Sequence, residues 1–126
     1  MNTFFLLAGI LAIIVGLIHS VLGEVLIFKK LRNGSLIPTK GKPLLRERNV
    51  RILWASWHIG TIFGWALGAI LLELSFSANS LPANSFLVGF IANSMLASSL
   101  LVLIATKAKH PGWVGLLGVA ALCWMG

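Results

Sequence analysis

Residues 3–28 carry one charged side chain, Glu24, and residues 51–74, 85–106 and 112–126 form three further apolar runs. An α-helix rises 1.5 Å per residue, so roughly 20 residues cross a hydrocarbon core ~30 Å thick. The first three runs meet that length. The fourth is short and spans only where the bilayer is thin, with the terminal carboxylate resting in the headgroups. The sequence therefore predicts an all-α polytopic membrane protein, one domain over residues 1–126 built as a four-transmembrane-helix bundle. Composition agrees, because 58% hydrophobic and 10% charged residues leave too little polar surface to cover a water-soluble core. Met1-Asn2-Thr3-Phe4-Phe5 carries no positively charged side chain, so the first run reads as a retained anchor rather than a cleaved leader. Cys123 is the only cysteine, which excludes an intrachain disulfide.

Orientation follows from the positive charges. Lys29, Lys30, Arg32, Lys40, Lys42, Arg46, Arg48 and Arg51 lie between the first two runs, and Lys107 and Lys109 between the last two. The connection over residues 75–84 is uncharged. All ten Lys and Arg thus fall on one side, which the positive-inside rule makes cytoplasmic. The expected arrangement is N-out/C-out in a cell inner membrane, with a basic cytoplasmic loop over residues 29–50 and both termini periplasmic. A net charge of +7 spread over a soluble surface would suggest nucleic acid. Concentrated in this way it points to anionic lipid headgroups, each charge being worth ~1 kcal/mol near the surface, and to no nucleic acid. Within the loop, Asn33-Gly34-Ser35 and Gly41-Lys42-Pro43 are turn signals. Pro43 is expected to start a helix that runs from Leu44 into the second span.

Helices in lipid associate through small residues that let backbones approach. The first span has Gly9, Ala12, Gly16, His19 and Gly23 on one stripe, and the second has Ser56, Gly60, Gly64 and Gly68. The third offers Gly89, Ala92 and Ser99, and the fourth Gly112, Gly115 and Gly118. These are expected to be bundle interfaces, available to a membrane-protein partner or to a second copy of the chain. Asn93 is expected to bond across the bundle, and His110 to be solvated.

The polar residues at membrane depth are His19, Ser20 and Glu24 in the first span and Arg51 and His58 in the second. A charged side chain there costs about 2.5–3.5 kcal/mol or more, so each needs a partner or a purpose. Counting from the cytoplasmic ends places His19 roughly 13 Å and His58 roughly 10 Å deep, with Glu24 only about 6 Å deep and near Arg51. Arg51, Trp54, His58, Thr61, Trp65 and Gly68 share one face of the second helix. Glu24 is rotated about 140° from His19 around the first.

Three arrangements fit these residues. His19 and His58 could ligate a haem b or a metal ion, since imidazole is the commonest metal ligand and helix bundles build such sites from facing helices. His19, Ser20, Glu24, Arg51, Trp54, His58 and Thr61 could line a pocket for a lipid, quinone or other amphiphile. Or the groups could satisfy one another, Glu24 pairing with Arg51 and the histidines bonding to hydroxyl or backbone groups.

The segment Gly16-Leu17-Ile18-His19-Ser20-Val21-Leu22-Gly23-Glu24, followed by Arg51-Ile52-Leu53-Trp54 and Trp57-His58, resembles a group of small, uncharacterised bacterial four-helix inner-membrane proteins. The resemblance covers the first half of the chain and implies a bacterial inner-membrane protein, without an activity. Size and helix count are also similar to those of the small multidrug-resistance transporters, which implies Glu24 as an essential carboxylate. Its place at the interface and the one-sided charge depart from that pattern. The chain contains no Asp, and neither a hydrolytic triad nor a Gly-rich phosphate loop stands out, which argues against an enzyme. The expected function is amphiphile or lipid binding in a cytoplasm-proximal pocket, alone or as an accessory subunit of a larger membrane complex. A haem- or metal-binding electron carrier is the competing reading.

Overall fold

The computed structural model of the chain describes residues 1–41, 43–76, 82–105, 107–108 and 110–126, with the side chains of 82–84 and 105 excepted. Among them are four α-helices and no strand: α1 Thr3–Leu26, α2 Glu47–Phe76, α3 Pro82–Ala105 and α4 Gly112–Met125. A 3₁₀ turn, Phe28–Leu31, follows α1. Three described stretches are long and apolar enough to cross a membrane: Thr3–Leu31, Glu47–Phe76 and Ser85–Ile104. α4 is apolar but shorter, at 14 residues.

The boundaries differ from expectation in instructive places. α1 stops at Leu26 rather than 28, because the ladder tightens and the Lys30 N–H bonds the Ile27 carbonyl at 3.2 Å. α2 begins at Glu47, neither at Arg51 nor at Leu44. Gly41 lies tight against Val50 and Leu45, and Val50 is wholly buried. Covering Val50 requires the chain to turn at Pro43–Leu45, with the Leu45 N–H on the Gly41 carbonyl at 2.7 Å. The Arg46 carbonyl then accepts the first amides of α2, and Glu47 in the first turn complements the helix dipole. α3 starts at Pro82, where the missing N–H costs nothing. Residues 77–81 of the expected periplasmic connection, and Lys42 and Lys109 of the basic set, lie outside the described residues.

The chain divides into two compact units, one of Met1–Val15 with Gly64–Gly126 and one of Gly16–Phe63. The first unit holds the apolar core: Ala8, Ala12, Leu71, Val88, Ile91, Ala92, Met95, Val119, Ala120 and Cys123 are all buried. Small residues let its helices approach. A Cβ on Gly9 would come within 2.8 Å of the Gly68 carbonyl, and one on Gly118 would meet Leu11 at 3.0 Å. The Ser99 hydroxyl donates to the Trp113 carbonyl at 2.7 Å, joining α3 to α4.

Asn2 ties three ends of this unit together. Its side-chain oxygen accepts the Phe4 and Phe5 amides at 3.0 and 3.2 Å, capping α1. Its backbone N–H bonds the Ser75 carbonyl at 2.7 Å, and its amide nitrogen donates to the Gly126 carbonyl at 3.0 Å. The two chain ends therefore sit side by side. Not every expected interface forms: a Cβ on Gly60, Gly64 or Gly89 would meet nothing within 4 Å. Asn93, expected to bond across the bundle, is exposed on α3 instead. His110 accepts the Gly112 amide on Nδ1 at 3.1 Å, so it closes the start of α4 rather than only facing water.

Candidate functional site

The second unit, Gly16–Phe63, contains every residue that the sequence nominated. On α1, Ser20 and Glu24 are one turn apart; on α2, Trp54 and His58 are one turn apart. Residues four apart share a helix face, so two matched pairs confront each other. The Trp54 indole N–H donates to Glu24 Oε2 at 3.1 Å. His58 Nδ1 lies 2.5 Å from the Ser20 hydroxyl, and its Nε2 lies 3.6 Å from Glu24 Oε2. Glu24 Oε1 accepts Arg32 Nε at 2.7 Å and also pairs with Arg32 Nη2.

Glu24 thus takes Arg32, not the expected Arg51, as its ion-pair partner. Two local features redirect it. The 3₁₀ turn folds Arg32 back over the end of α1, where its Nη1 also donates to the Ser35 carbonyl at 3.3 Å. Meanwhile α2 begins one turn before Arg51, which places Glu47 four residues upstream of it. Arg51 donates to Glu47 at 2.9 and 2.6 Å, and both side chains are half-exposed.

The loop beyond Arg32 is pinned to the end of α1. Thr39 and Lys40 donate backbone amides to the Leu31 carbonyl at 3.0 and 2.8 Å. The Asn33-Gly34-Ser35 signal is a turn with Gly34 at φ +75°, a conformation suited to glycine. Ser35 Oγ donates to the Ile37 carbonyl at 2.6 Å.

The two imidazoles take different partners. His19 stacks on Trp57 with ring centroids 4.3 Å apart and planes within 6°. Trp57 in turn donates its N–H to the His19 carbonyl at 3.0 Å. His58 sits among Trp54 and Phe28, with centroids 4.9 and 6.2 Å away. Phe28 also meets the Trp57 ring edge-on at 5.8 Å. His58 Nδ1 is within hydrogen-bond distance of Ser20, while its buried Nε2, 3.6 Å from Glu24, has no hydrogen-bond partner among the described residues. Among the described residues no group of three or more His, Cys, Asp or Glu could hold a metal ion. Thr61, next on the same face of α2, is buried, and its hydroxyl has no hydrogen-bond partner among the described residues.

Sequence reasoning missed Arg32, Gly23, Phe28 and Trp57 as members of this cluster. Gly23 was visible as part of the glycine stripe, and Trp57 as the neighbour of His58. Nothing in the sequence separated Arg32 from the other loop charges.

Ser20, His58 and Glu24 hold the three group types of a hydrolytic triad, and their order allows a proton to pass between hydroxyl and imidazole. Hydrolysis also needs donors aimed at a developing oxyanion. Ser20 lies inside α1, where backbone N–H groups are consumed by carbonyls one turn back. The cluster therefore suits a hydrogen-bonded clasp better than acyl transfer.

Concave surface lies at the start of α2 and along the loop that precedes it. An open groove of about 560 Å³ is lined by Glu47, Arg48, Arg51 and Ile52. A smaller one of about 220 Å³ is lined by Asn33, Thr39, Lys40, Gly41 and Glu47. No protein-family model, curated protein or solved structure matches the chain.

Proposed function

We propose that this chain is a bacterial inner-membrane protein of four spans that binds the headgroup of an anionic lipid or similar amphiphile at its cytoplasmic face. In this reading the basic loop is cytoplasmic, both termini are periplasmic, and the short α4 crosses the bilayer. The charge distribution supports the orientation, and the resemblance noted in helices one and two supports the compartment.

The observation that carries the binding site is the groove at Glu47, Arg48, Arg51 and Ile52. There two guanidinium groups and one aliphatic side chain border an open concavity at the start of α2, where its sequence turns from charged to apolar. Guanidinium groups recognise phosphate through paired N–H donors, and Ile52 offers apolar surface to the glycerol and acyl region. Glu47 neutralises part of Arg51, which leaves Arg48 as the uncompensated charge of the groove. The Glu24 clasp, on this reading, fixes the loop and the start of α2 so that the groove keeps its shape.

The test is native mass spectrometry of the full chain from bilayers of phosphatidylglycerol mixed with phosphatidylcholine. Retained phosphatidylglycerol is expected, reduced at least about fivefold in Arg48→Ala/Arg51→Ala, since the uncompensated Arg48 alone contributes ~1 kcal/mol. Equal retention of both lipids, or no change in the double variant, would overturn the proposal.

A further inference from the structure

The outward face of α3 carries a polar group with nothing to bond. Asn93 is exposed near the middle of the apolar stretch Ser85–Ile104. Its carboxamide makes no hydrogen bond among the described residues. In water this would be unremarkable. In hydrocarbon an unpaired amide is costly, and helices relieve that cost by bonding to one another.

The residues around Asn93 form a pattern. Phe86, Phe90, Asn93, Ala97, Leu100 and Ile104 are all exposed, and successive members are four, three, four, three and four residues apart. That alternation has a period of 3.5, the repeat that keeps one seam of a helix against a partner helix. The opposite face of α3 is already used, with Val88, Ile91, Ala92, Met95 and Ser99 buried. The exposed seam is therefore a second interface surface on the same helix. Gly89 and Ala97 lie one turn to either side of Asn93, and a Cβ at Gly89 would meet nothing within 4 Å. Small residues there allow a second backbone to come close.

Topology selects the partner. Two copies inserted with the same orientation can pair about an axis normal to the bilayer, which sets their α3 helices parallel. Each seam position then faces its own counterpart, so Asn93 meets Asn93. A carboxamide is donor and acceptor at once, which makes this pair self-complementary. A single polar residue in a heptad seam also fixes register. We propose that the chain forms a parallel two-fold dimer along this α3 seam, with the Asn93 carboxamides hydrogen-bonded across the axis. The inference rests on the reading that α3 crosses the bilayer.

The experiment counts subunits by single-molecule photobleaching of the labelled full chain in liposomes over a range of protein-to-lipid ratios. A dimer fraction that rises with density is expected. Asn93→Leu should weaken it about three- to tenfold, Asn93→Gln should preserve it, and Ala97→Phe should abolish it by holding the backbones apart. As a second reading, Asn93→Cys in a Cys123→Ala background should form an intermolecular disulfide on oxidation. A wild-type chain that stays monomeric at every density, or a dimer that both Asn93→Leu and Ala97→Phe leave intact, overturns the inference. The same liposomes report on the membrane reading through an impermeant amine reagent. One-sided labelling of the loop lysines with a monomeric chain sinks the dimer alone. Labelling of each loop lysine in every molecule from both faces sinks both.

Discussion

Trp57 occupies the space that any side chain on Gly23 would need. A Cβ built on Gly23 would overlap the Nε1, Cε2 and Cδ1 atoms of the indole. The same nitrogen donates to the His19 carbonyl, and the ring face covers the His19 imidazole. One glycine thus sets the position of an indole that braces α1 at His19 and packs against Phe28.

Gly23→Ala should therefore destabilise the protein, although alanine is the better helix former by about 0.8–1 kcal/mol. Overpacking of a closed contact typically costs about 1–3 kcal/mol, which outweighs the propensity gain. Gly60→Ala is the control, because open space surrounds that position, and it should be neutral or stabilising. Unfolding in mixed detergent micelles, followed by tryptophan fluorescence, gives the sign of each change. Equal effects of the two substitutions would contradict the packing described.

The two ion pairs should differ in weight. Arg32 reaches Glu24 with two nitrogens in a part-buried setting, whereas the Arg51–Glu47 pair is half-exposed and confined to one helix. Hydrogen bonds to a charged group contribute about 1.5–3 kcal/mol, and exposed pairs spaced by four residues only about 0.3–0.5. Arg32→Ala should accordingly lower the unfolding midpoint well beyond Arg51→Ala. A double-mutant cycle should show coupling between Glu24→Gln and Arg32→Ala, and almost none between Glu24→Gln and Arg51→Ala. Strong coupling to Arg51 would restore the pairing that the sequence suggested.

That reversal marks where sequence reasoning reached its limit. Helix number and type followed from apolar run lengths, because a helix long enough to cross a bilayer leaves a plain compositional trace. Ser20, Glu24, Trp54 and His58 were legible as one cluster because four-residue spacing puts each pair on one face. The partner of Glu24 was not legible, since it depends on a 3₁₀ turn that swings Arg32 back and on an extra helical turn that gives Arg51 a nearer carboxylate. Both are backbone decisions made in a loop with several equivalent cations. The small-residue stripes were legible only in part. Gly9 and Gly68 meet, yet Gly60 and Gly64 on the same helix face open space, and only packing in three dimensions separates them.

The His58 ring should hold its proton on Nε2. That nitrogen faces the Glu24 carboxylate at 3.6 Å, while Nδ1 lies 2.5 Å from Ser20. With the proton on Nε2 toward the carboxylate, Nδ1 is left as the acceptor of the Ser20 hydroxyl. Nitrogen-15 solid-state spectra of the histidine-labelled chain should show an unprotonated Nδ1 and a protonated Nε2. Ser20→Ala should shift the Nδ1 resonance and cost about 1 kcal/mol of stability. A protonated Nδ1 with an unprotonated Nε2 would mean that the serine accepts rather than donates.

The placement of the chain ends gives the proposed topology its most direct check. Asn2 bonds both Ser75 and Gly126, so the start of α1, the end of α2 and the end of α4 share one end of their unit. Lys29, Lys30, Lys40 and Lys107 are exposed and lie in the connections that join the other helix ends. In a bilayer the two sets should face opposite compartments, with the lysines cytoplasmic. An impermeant amine reagent applied to inside-out vesicles should modify all four lysines. Applied to intact spheroplasts it should modify none of them, while an epitope fused after Gly126 is reached from that side. Modification of the loop lysines and recognition of the epitope from the same side would remove the four-span arrangement, because an even number of crossings must return both termini to one face and leave the lysines on the other.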